Sequence, residues 1–130
     1  MKILVIEDQP AELTLARQVL AAEGHKVAGA TAAEYSFQRI KEEKPDIILL
    51  DMNLPGMDGL TLARKLKADE ATRNIHIVAV TSFPERFSRA KALEAGCDAY
   101  LVKPLSTRTL PQQLNEVLAA EPDRHGPSNS

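Results

Sequence analysis

Asp46-Ile-Ile-Leu-Leu-Asp-Met-Asn-Leu-Pro-Gly-Met-Asp-Gly59 is the stretch of this sequence that decides the fold. Residues 47–50 form an unbroken apolar run, which is typical of a strand covered on both faces. Asp51 ends that run. Residues 55–59 then predict a turn-rich loop, and the apolar residues within 60–67 recur with helical spacing. The stretch therefore predicts a buried strand that ends at a carboxylate. In open α/β sheets, functional sites form at that edge, beyond the carboxyl ends of the strands.

The same alternation of an apolar run and a helical pattern occurs five times along the chain. The predicted strands are residues 3–6, a weaker edge strand at 27–28, and residues 47–50, 75–80 and 98–102. The predicted helices begin near Pro10, Thr31, Leu60, Pro84 and Thr109, and Gly24 and Gly96 are predicted to end the first and the fourth. The predicted inner faces carry Leu13, Ala16 and Leu20 in the first helix, Ala33, Phe37 and Ile40 in the second, and Phe87, Ala90 and Leu93 in the fourth.

Five strand–helix alternations predict a parallel sheet with helices on both faces and right-handed crossovers. We expect a flavodoxin-like, doubly wound (βα)5 fold of class α/β, with the strand order 2-1-3-4-5. Residues 1–120 are expected to form this one domain. Residues 121–130 contain Pro, Gly, Ser and Asn without an apolar pattern, so we expect a flexible tail or the start of a linker.

Composition and charge exclude several classes of function. The net charge of −2 argues against a nucleic-acid-binding domain driven by basic charge. Cys97 is the single cysteine, which excludes an intramolecular disulfide and fits a reducing cytosol. No apolar stretch approaches the ~20 residues of a membrane span, and the N-terminus is too short to be a signal peptide. We therefore expect a cytoplasmic protein that binds neither nucleic acid nor membrane.

Polar side chains directly follow four of the five predicted strands. Glu7 and Asp8 follow the first strand and Asp51 follows the third. Thr81 follows the fourth strand and Lys103 follows the fifth. If the sheet forms as predicted, three carboxylates, a hydroxyl and an ammonium meet at one edge.

This combination favours phosphoryl chemistry assisted by a divalent cation. Three close carboxylates repel one another, and Mg²⁺ relieves that repulsion through oxygen ligands, with Asp8 and Asp51 as direct ligands and Glu7 acting directly or through water. Asp51 is then a candidate nucleophile toward phosphorus, while Thr81 and Lys103 would contact phosphoryl oxygens. Taken singly, each residue also fits a simpler interpretation as a turn acid, helix cap or surface lysine. The four strand ends together favour the functional interpretation.

The sequence closely resembles the receiver domain of bacterial two-component response regulators, of the single-domain, chemotaxis-regulator-like kind. The resemblance covers residues 2 to about 120. The motifs that carry it are Val5-Ile-Glu-Asp8, Asp46 to Gly59 as quoted above, Val80-Thr-Ser82, Gly96-Cys-Asp-Ala-Tyr100 and Lys103-Pro104.

The resemblance implies that Asp51 accepts a phosphoryl group from a phosphohistidine of a sensor histidine kinase or a histidine phosphotransfer protein. It implies Mg²⁺, with Mn²⁺ as a substitute, held by Asp8, Asp51 and the backbone carbonyl of Asn53, with Glu7 assisting. Thr81 and Lys103 would contact the phosphoryl group, and the Lys103–Pro104 peptide bond would be cis.

The resemblance also implies a switch. Thr81 would move toward the phosphate and Tyr100 would turn inward, which changes the face formed by the fourth helix, fifth strand and fifth helix and alters binding of a downstream protein. That face would include the cations Arg86, Arg89, Lys91 and Arg108, which either recruit an acidic partner or form ordinary solvated surface. A monomer and a phosphorylation-dependent dimer are both compatible with the family.

Phe83 departs from the commonest family pattern, because a bulky apolar residue stands two positions after Thr81. We hypothesise that Phe83 covers the phosphorylation site and limits the access of water.

Three other functions remain as alternatives. An aspartate-nucleophile phosphatase would need a second acid at the position of Asn53, and a flavin-binding module would need a small, hydroxyl-rich loop where this chain has Glu7-Asp8-Gln9-Pro10. An unphosphorylated, receiver-like interaction module is the third. The chain itself is either a complete single-domain regulator or the receiver part of a larger regulator or hybrid kinase.

Overall fold

The computed structural model describes residues 1–119 as one parallel sheet with helices on both faces. The strands are β1 (Lys2–Ile6), β2 (Lys26–Ala30), β3 (Ile47–Asp51), β4 (His76–Thr81) and β5 (Ala99–Val102). All pairings are parallel and the order is β2-β1-β3-β4-β5, which confirms the predicted fold class and strand order. The tail prediction for residues 121–130 lies outside the described residues.

Five helices connect and follow the strands. They are α1 (Pro10–Ala22), α2 (Ala33–Glu42), α3 (Gly59–Ala68), α4 (Arg89–Glu94) and α5 (Leu110–Ala119). The start of α1 at Pro10 is as predicted, and the predicted stops Gly24 and Gly96 follow α1 and α4 with positive φ angles of 91° and 103°. Within residues 1–119, no helix is long and apolar enough to cross a membrane.

Apolar side chains form one core on each face of the sheet. Every residue of β3 and β4 is buried, as their continuous apolar runs predicted. On one face, Leu20 of α1 and Leu114 of α5 pack against the strands, and α2, α3 and α4 cover the opposite face. The carboxyl edge of the sheet thus lies between two packed layers.

The predicted start of α4 at Pro84 is wrong. Residues 84–86 form a turn, and the helix begins at Arg89 after an N-cap at Ser88, whose Oγ accepts a hydrogen bond from the Lys91 backbone N–H at 3.2 Å. A serine cap competes effectively with a proline as a helix start, because its side chain satisfies an N–H that otherwise lacks a partner.

The later start also changes which face of α4 is buried. Of the predicted inner residues, Phe87 is buried but precedes the helix, while Ala90 and Leu93 are exposed. Ala92 and Ala95 face the core instead.

Two predictions for α2 are also wrong. Thr31 does not cap the helix, because α2 begins at Ala33 with Ala32 at the N-cap position. Phe37 is 37% exposed, and Ser36 takes the inward position. The Ser36 hydroxyl donates to the Ala33 carbonyl at 2.5 Å, so this polar side chain is satisfied locally and can face the core.

Candidate functional site

The carboxyl edge of the sheet brings together all five polar residues that the sequence places after strands. Backbone hydrogen bonds continue beyond the strand ends and fix this edge: Glu7 N–H donates to Ala30 O at 3.0 Å, and Lys103 N–H donates to Thr81 O at 2.8 Å. Asp51 is itself the last residue of β3, opposite Val80 of β4. The side chains therefore project from hydrogen-bonded strand ends.

Three carboxylates lie close enough together to hold a cation. One oxygen each of Glu7, Asp8 and Asp51 lie within 4.8 Å of one another. Glu7 and Asp51 are buried, and Asp51 Oδ1 accepts a hydrogen bond from the Asn53 backbone N–H at 3.0 Å. Hard oxygen donors with excess negative charge suit Mg²⁺, so the residues present fit the predicted cofactor.

Lys103 lies among these carboxylates. Its Nζ is 2.6 Å from Glu7 Oε1 and 3.3 Å from Asp51 Oδ2. A third carboxylate, that of Glu12 in the first turn of α1, lies 2.6 Å from the same Nζ. The peptide bond between Lys103 and Pro104 is cis, the isomer that the resemblance implied.

Sequence reasoning did not include Glu12 in the site. An acid in the first turn of a helix is ordinary, because it interacts favourably with the helix dipole. The available signal was its position: α1 begins at Pro10, directly after the edge residues Glu7 and Asp8, so its first turn necessarily lies beside the site.

Burial and mutual charge shift the pKa values of two of these groups. Burial raises the pKa of Glu7 to about 7, the charge of Asp51 adds to this, and hydrogen bonds from Lys103 and the Gln9 N–H oppose it. Burial acts to lower the pKa of Lys103, but hydrogen bonds to Glu12 and Glu7 and the charge of Asp51 outweigh burial and raise it above its ordinary value. Lys103 is therefore a permanent cation, while Glu7 is poised to change charge near neutral pH.

Thr81, the last residue of β4, and Tyr100 of β5 both make hydrogen bonds. The buried Thr81 Oγ1 accepts from the Phe83 backbone N–H at 2.9 Å. Tyr100 is buried, its hydroxyl donates to the Phe87 carbonyl, and the Arg89 guanidinium carbon lies 5.5 Å from the centre of its ring. The Tyr100 ring therefore points inward in this conformation.

A cavity of about 460 Å³ adjoins the acidic cluster on the side of α1 and α5. Glu7, Asp51 and Lys103 line its polar end, and the half-exposed Leu15 and the buried Leu110 line its apolar wall. The cavity therefore extends to the carboxyl edge of the sheet, where Asp51 lies.

Comparison with known proteins adds independent findings. A family model described as "Response regulator receiver domain" matches residues 3–115. The response regulator PleD of Caulobacter vibrioides is 40% identical over 104 residues, which are 80% of this chain and 23% of PleD. The polar-differentiation response regulator DivK of Brucella ovis is 32% identical over 104 residues, 80% of this chain and 85% of DivK. The chain thus spans less than a quarter of PleD but most of DivK.

The fold is also similar to that of a solved receiver domain. The receiver domain of the sensor histidine kinase PA1611 from Pseudomonas aeruginosa PAO1 is 29% identical, with a TM-score of 0.81 over 91% of this chain and 97% of that one. That structure is described as having a magnesium ion coordinated in the active site cleft.

Proposed function

The chain belongs to the response regulator receiver family of two-component signalling, and from that premise we propose that Asp51 accepts a phosphoryl group from a phosphohistidine. The donor would be a sensor histidine kinase or a histidine phosphotransfer protein in the cytoplasm. One observation carries the proposal: Asp51 lies 3.3 Å from the Lys103 ammonium and shares a cluster with two further carboxylates at the carboxyl edge of the sheet.

In the proposed reaction, one carboxylate oxygen of Asp51 attacks the phosphorus, and the bond from phosphorus to the donor nitrogen breaks with its electron pair on that nitrogen. Glu7, Asp8, Asp51 and the Asn53 backbone carbonyl would hold Mg²⁺, or Mn²⁺ in its place. The bound ion would neutralise the carboxylates and the developing phosphoryl charge. The magnesium ion in the PA1611 receiver supports this assignment.

The Lys103 ammonium and the Thr81 hydroxyl would stabilise the phosphoryl oxygens. Lys103 already lies beside Asp51, whereas Thr81 Oγ1 accepts from the Phe83 N–H, so a movement of Thr81 toward the phosphoryl group would shift or break that hydrogen bond. The phosphoryl group would thus bias the loop after β4 through its different interaction with two positions of Thr81.

The proposed output is a change at the face formed by α4, β5 and α5, which a downstream protein would bind. Tyr100 connects that face to the loop after β4 through its hydroxyl hydrogen bond to Phe87. Arg86 and Arg89 lie over the rings of Phe87 and Tyr100, at 5.0 and 5.5 Å from the ring centres. A movement of either ring would therefore displace a cation on this surface.

The test is phosphorylation by acetyl phosphate, with intact mass and light scattering measured on the same samples. We expect one phosphoryl adduct that forms with Mg²⁺ or Mn²⁺, is absent with EDTA and is absent in Asp51→Asn. The accompanying size distinguishes a monomer from a phosphorylation-dependent dimer. No adduct from acetyl phosphate or from a phosphorylated histidine phosphotransfer protein would contradict the proposal and favour the unphosphorylated interaction module.

A further inference from the structure

Three carboxylates surround the Lys103 ammonium. The oxygens of Glu7 and Glu12 lie at 2.6 Å and the oxygen of Asp51 lies at 3.3 Å. A lysine ammonium has three donors and no more. Three carboxylates therefore match the three donors of Lys103, and the longest contact is the one to the proposed acceptor.

A phosphoryl oxygen that binds Lys103 has to replace one of these partners. Glu7 is buried within the cation cluster, so its carboxyl group cannot regain water when it leaves Lys103. Glu12 is different, because its side chain is 50% exposed and regains water when it leaves. Displacement of the Glu12 carboxylate from Lys103 therefore costs the least free energy.

We propose that Glu12 is a positioning residue that occupies one donor of the Lys103 ammonium and releases it when a phosphoryl group arrives. The inference rests on the proposed function and extends it: Glu12 competes with the phosphoryl group for one donor of Lys103. The competition sets the rate of phosphorylation without Glu12 touching any reacting atom.

Removal of the Glu12 charge should therefore assist the reaction. Glu12→Gln is expected to raise the rate constant for phosphorylation by acetyl phosphate by about two- to fivefold, the range that the free energy of a half-exposed ion pair allows. The affinity for beryllofluoride, a stable analogue of the phosphoryl group, should rise by a similar factor. Glu12→Asp keeps the charge on a shorter side chain and should lie between the wild type and Glu12→Gln.

A matched control removes the same charge elsewhere. Glu23 is exposed at the other end of α1, so Glu23→Gln changes the net charge equally without reaching Lys103. This control removes any general effect of net charge on an anionic donor. The ratio of the Glu12→Gln rate to the Glu23→Gln rate should also fall toward one as salt concentration rises, because ion pairing is screened and packing is not.

The experiment measures Mg²⁺-dependent phosphorylation rates by intact mass and beryllofluoride binding by ¹⁹F NMR in the full chain, at low and high salt. A rate in Glu12→Gln equal to or below that of Glu23→Gln, or a gain that does not respond to salt, would overturn the role of Glu12 while leaving Asp51 phosphorylation intact. Absence of an Asp51 adduct in the wild type would overturn the proposed function, and this inference with it. Thermal unfolding of each variant identifies any rate change that comes from lost folding.

Discussion

At the scale of single residues, burial gives Glu7 a protonation state that depends on pH near neutrality. Its pKa rises from 4.5 to about 7 in the folded protein, chiefly through burial. Because the folded pKa is the higher one, Glu7 contributes stability that is fully present below pH 4.5 and is lost as the pH rises through about 7.

We therefore predict a pH-dependent difference between the wild type and Glu7→Gln in metal-free buffer. From pH 4.5 to pH 7.5, the free energy of unfolding of the wild type should fall relative to that of Glu7→Gln by on the order of 1–3 kcal/mol. Urea denaturation in EDTA at stepped pH measures this, with Glu70→Gln as the exposed control. Parallel pH profiles for wild type and Glu7→Gln would contradict it.

Phe83 remains the candidate for limiting water access to the phosphorylated site. Phe83 is 43% exposed, and its backbone N–H donates to the hydroxyl oxygen of Thr81, the residue that would contact the phosphoryl group. Phe83→Ala should shorten the aspartyl-phosphate lifetime severalfold, as followed by the decay of the intact-mass adduct after removal of the donor. Phe83→Leu, which retains apolar bulk, should stay close to the wild type. An unchanged or longer lifetime in Phe83→Ala would rule out the covering role.

At the scale of elements, α3 begins in unusually close contact with the end of β3. A Cβ atom on Gly59 would lie 2.7 Å from the backbone oxygen of Asp51 and 2.7 Å from Met52 Cα. Both atoms belong to backbone, so the clash cannot be relieved by a side-chain rotation. The absence of a side chain at Gly59 lets the helix start directly behind the proposed acceptor.

The variant Gly59→Ala distinguishes the effect of this close contact from that of helix propensity, because the two predict opposite changes in the free energy of unfolding. Helix propensity alone would stabilise the protein by up to ~1 kcal/mol, whereas overpacking costs about 1–3 kcal/mol. We expect a net loss of stability in urea denaturation and slower phosphorylation because Asp51 is displaced. A stabilised, fully reactive Gly59→Ala protein would contradict the close contact.

The elements differ in how far the sequence predicts them. β3 and β4 were predictable because both faces are covered, which requires continuous apolar runs. The start of α4 was not, since Pro84 and Ser88 both suit a helix start and the sequence pattern does not show that the Ser88 cap is the one used. In α2, helical spacing favoured Phe37 for the core, but the structure buries Ser36.

At the scale of the whole molecule, parallel topology turns scattered residues into one site. Glu7, Asp51, Thr81 and Lys103 were predictable as a group because the carboxyl ends of parallel strands share one edge. Glu12 was not, because its role depends on the direction in which a helical side chain reaches across to Lys103, and no strand end marks it. The predicted fold therefore identifies which chemical groups lie at the edge. The hydrogen-bond and ion-pair partners of each group depend on tertiary packing, which the sequence pattern does not show.

The central claim is that Asp51 itself carries the phosphoryl group, and borohydride trapping tests it most directly. Borohydride reduces an aspartyl phosphate to homoserine, so peptide mass spectrometry after digestion identifies the residue that was phosphorylated. The account predicts homoserine at position 51, dependent on Mg²⁺ and on the phosphoryl donor. Homoserine at position 8 or 58 with Asp51 unmodified, or no conversion in protein that carries the adduct, would contradict it.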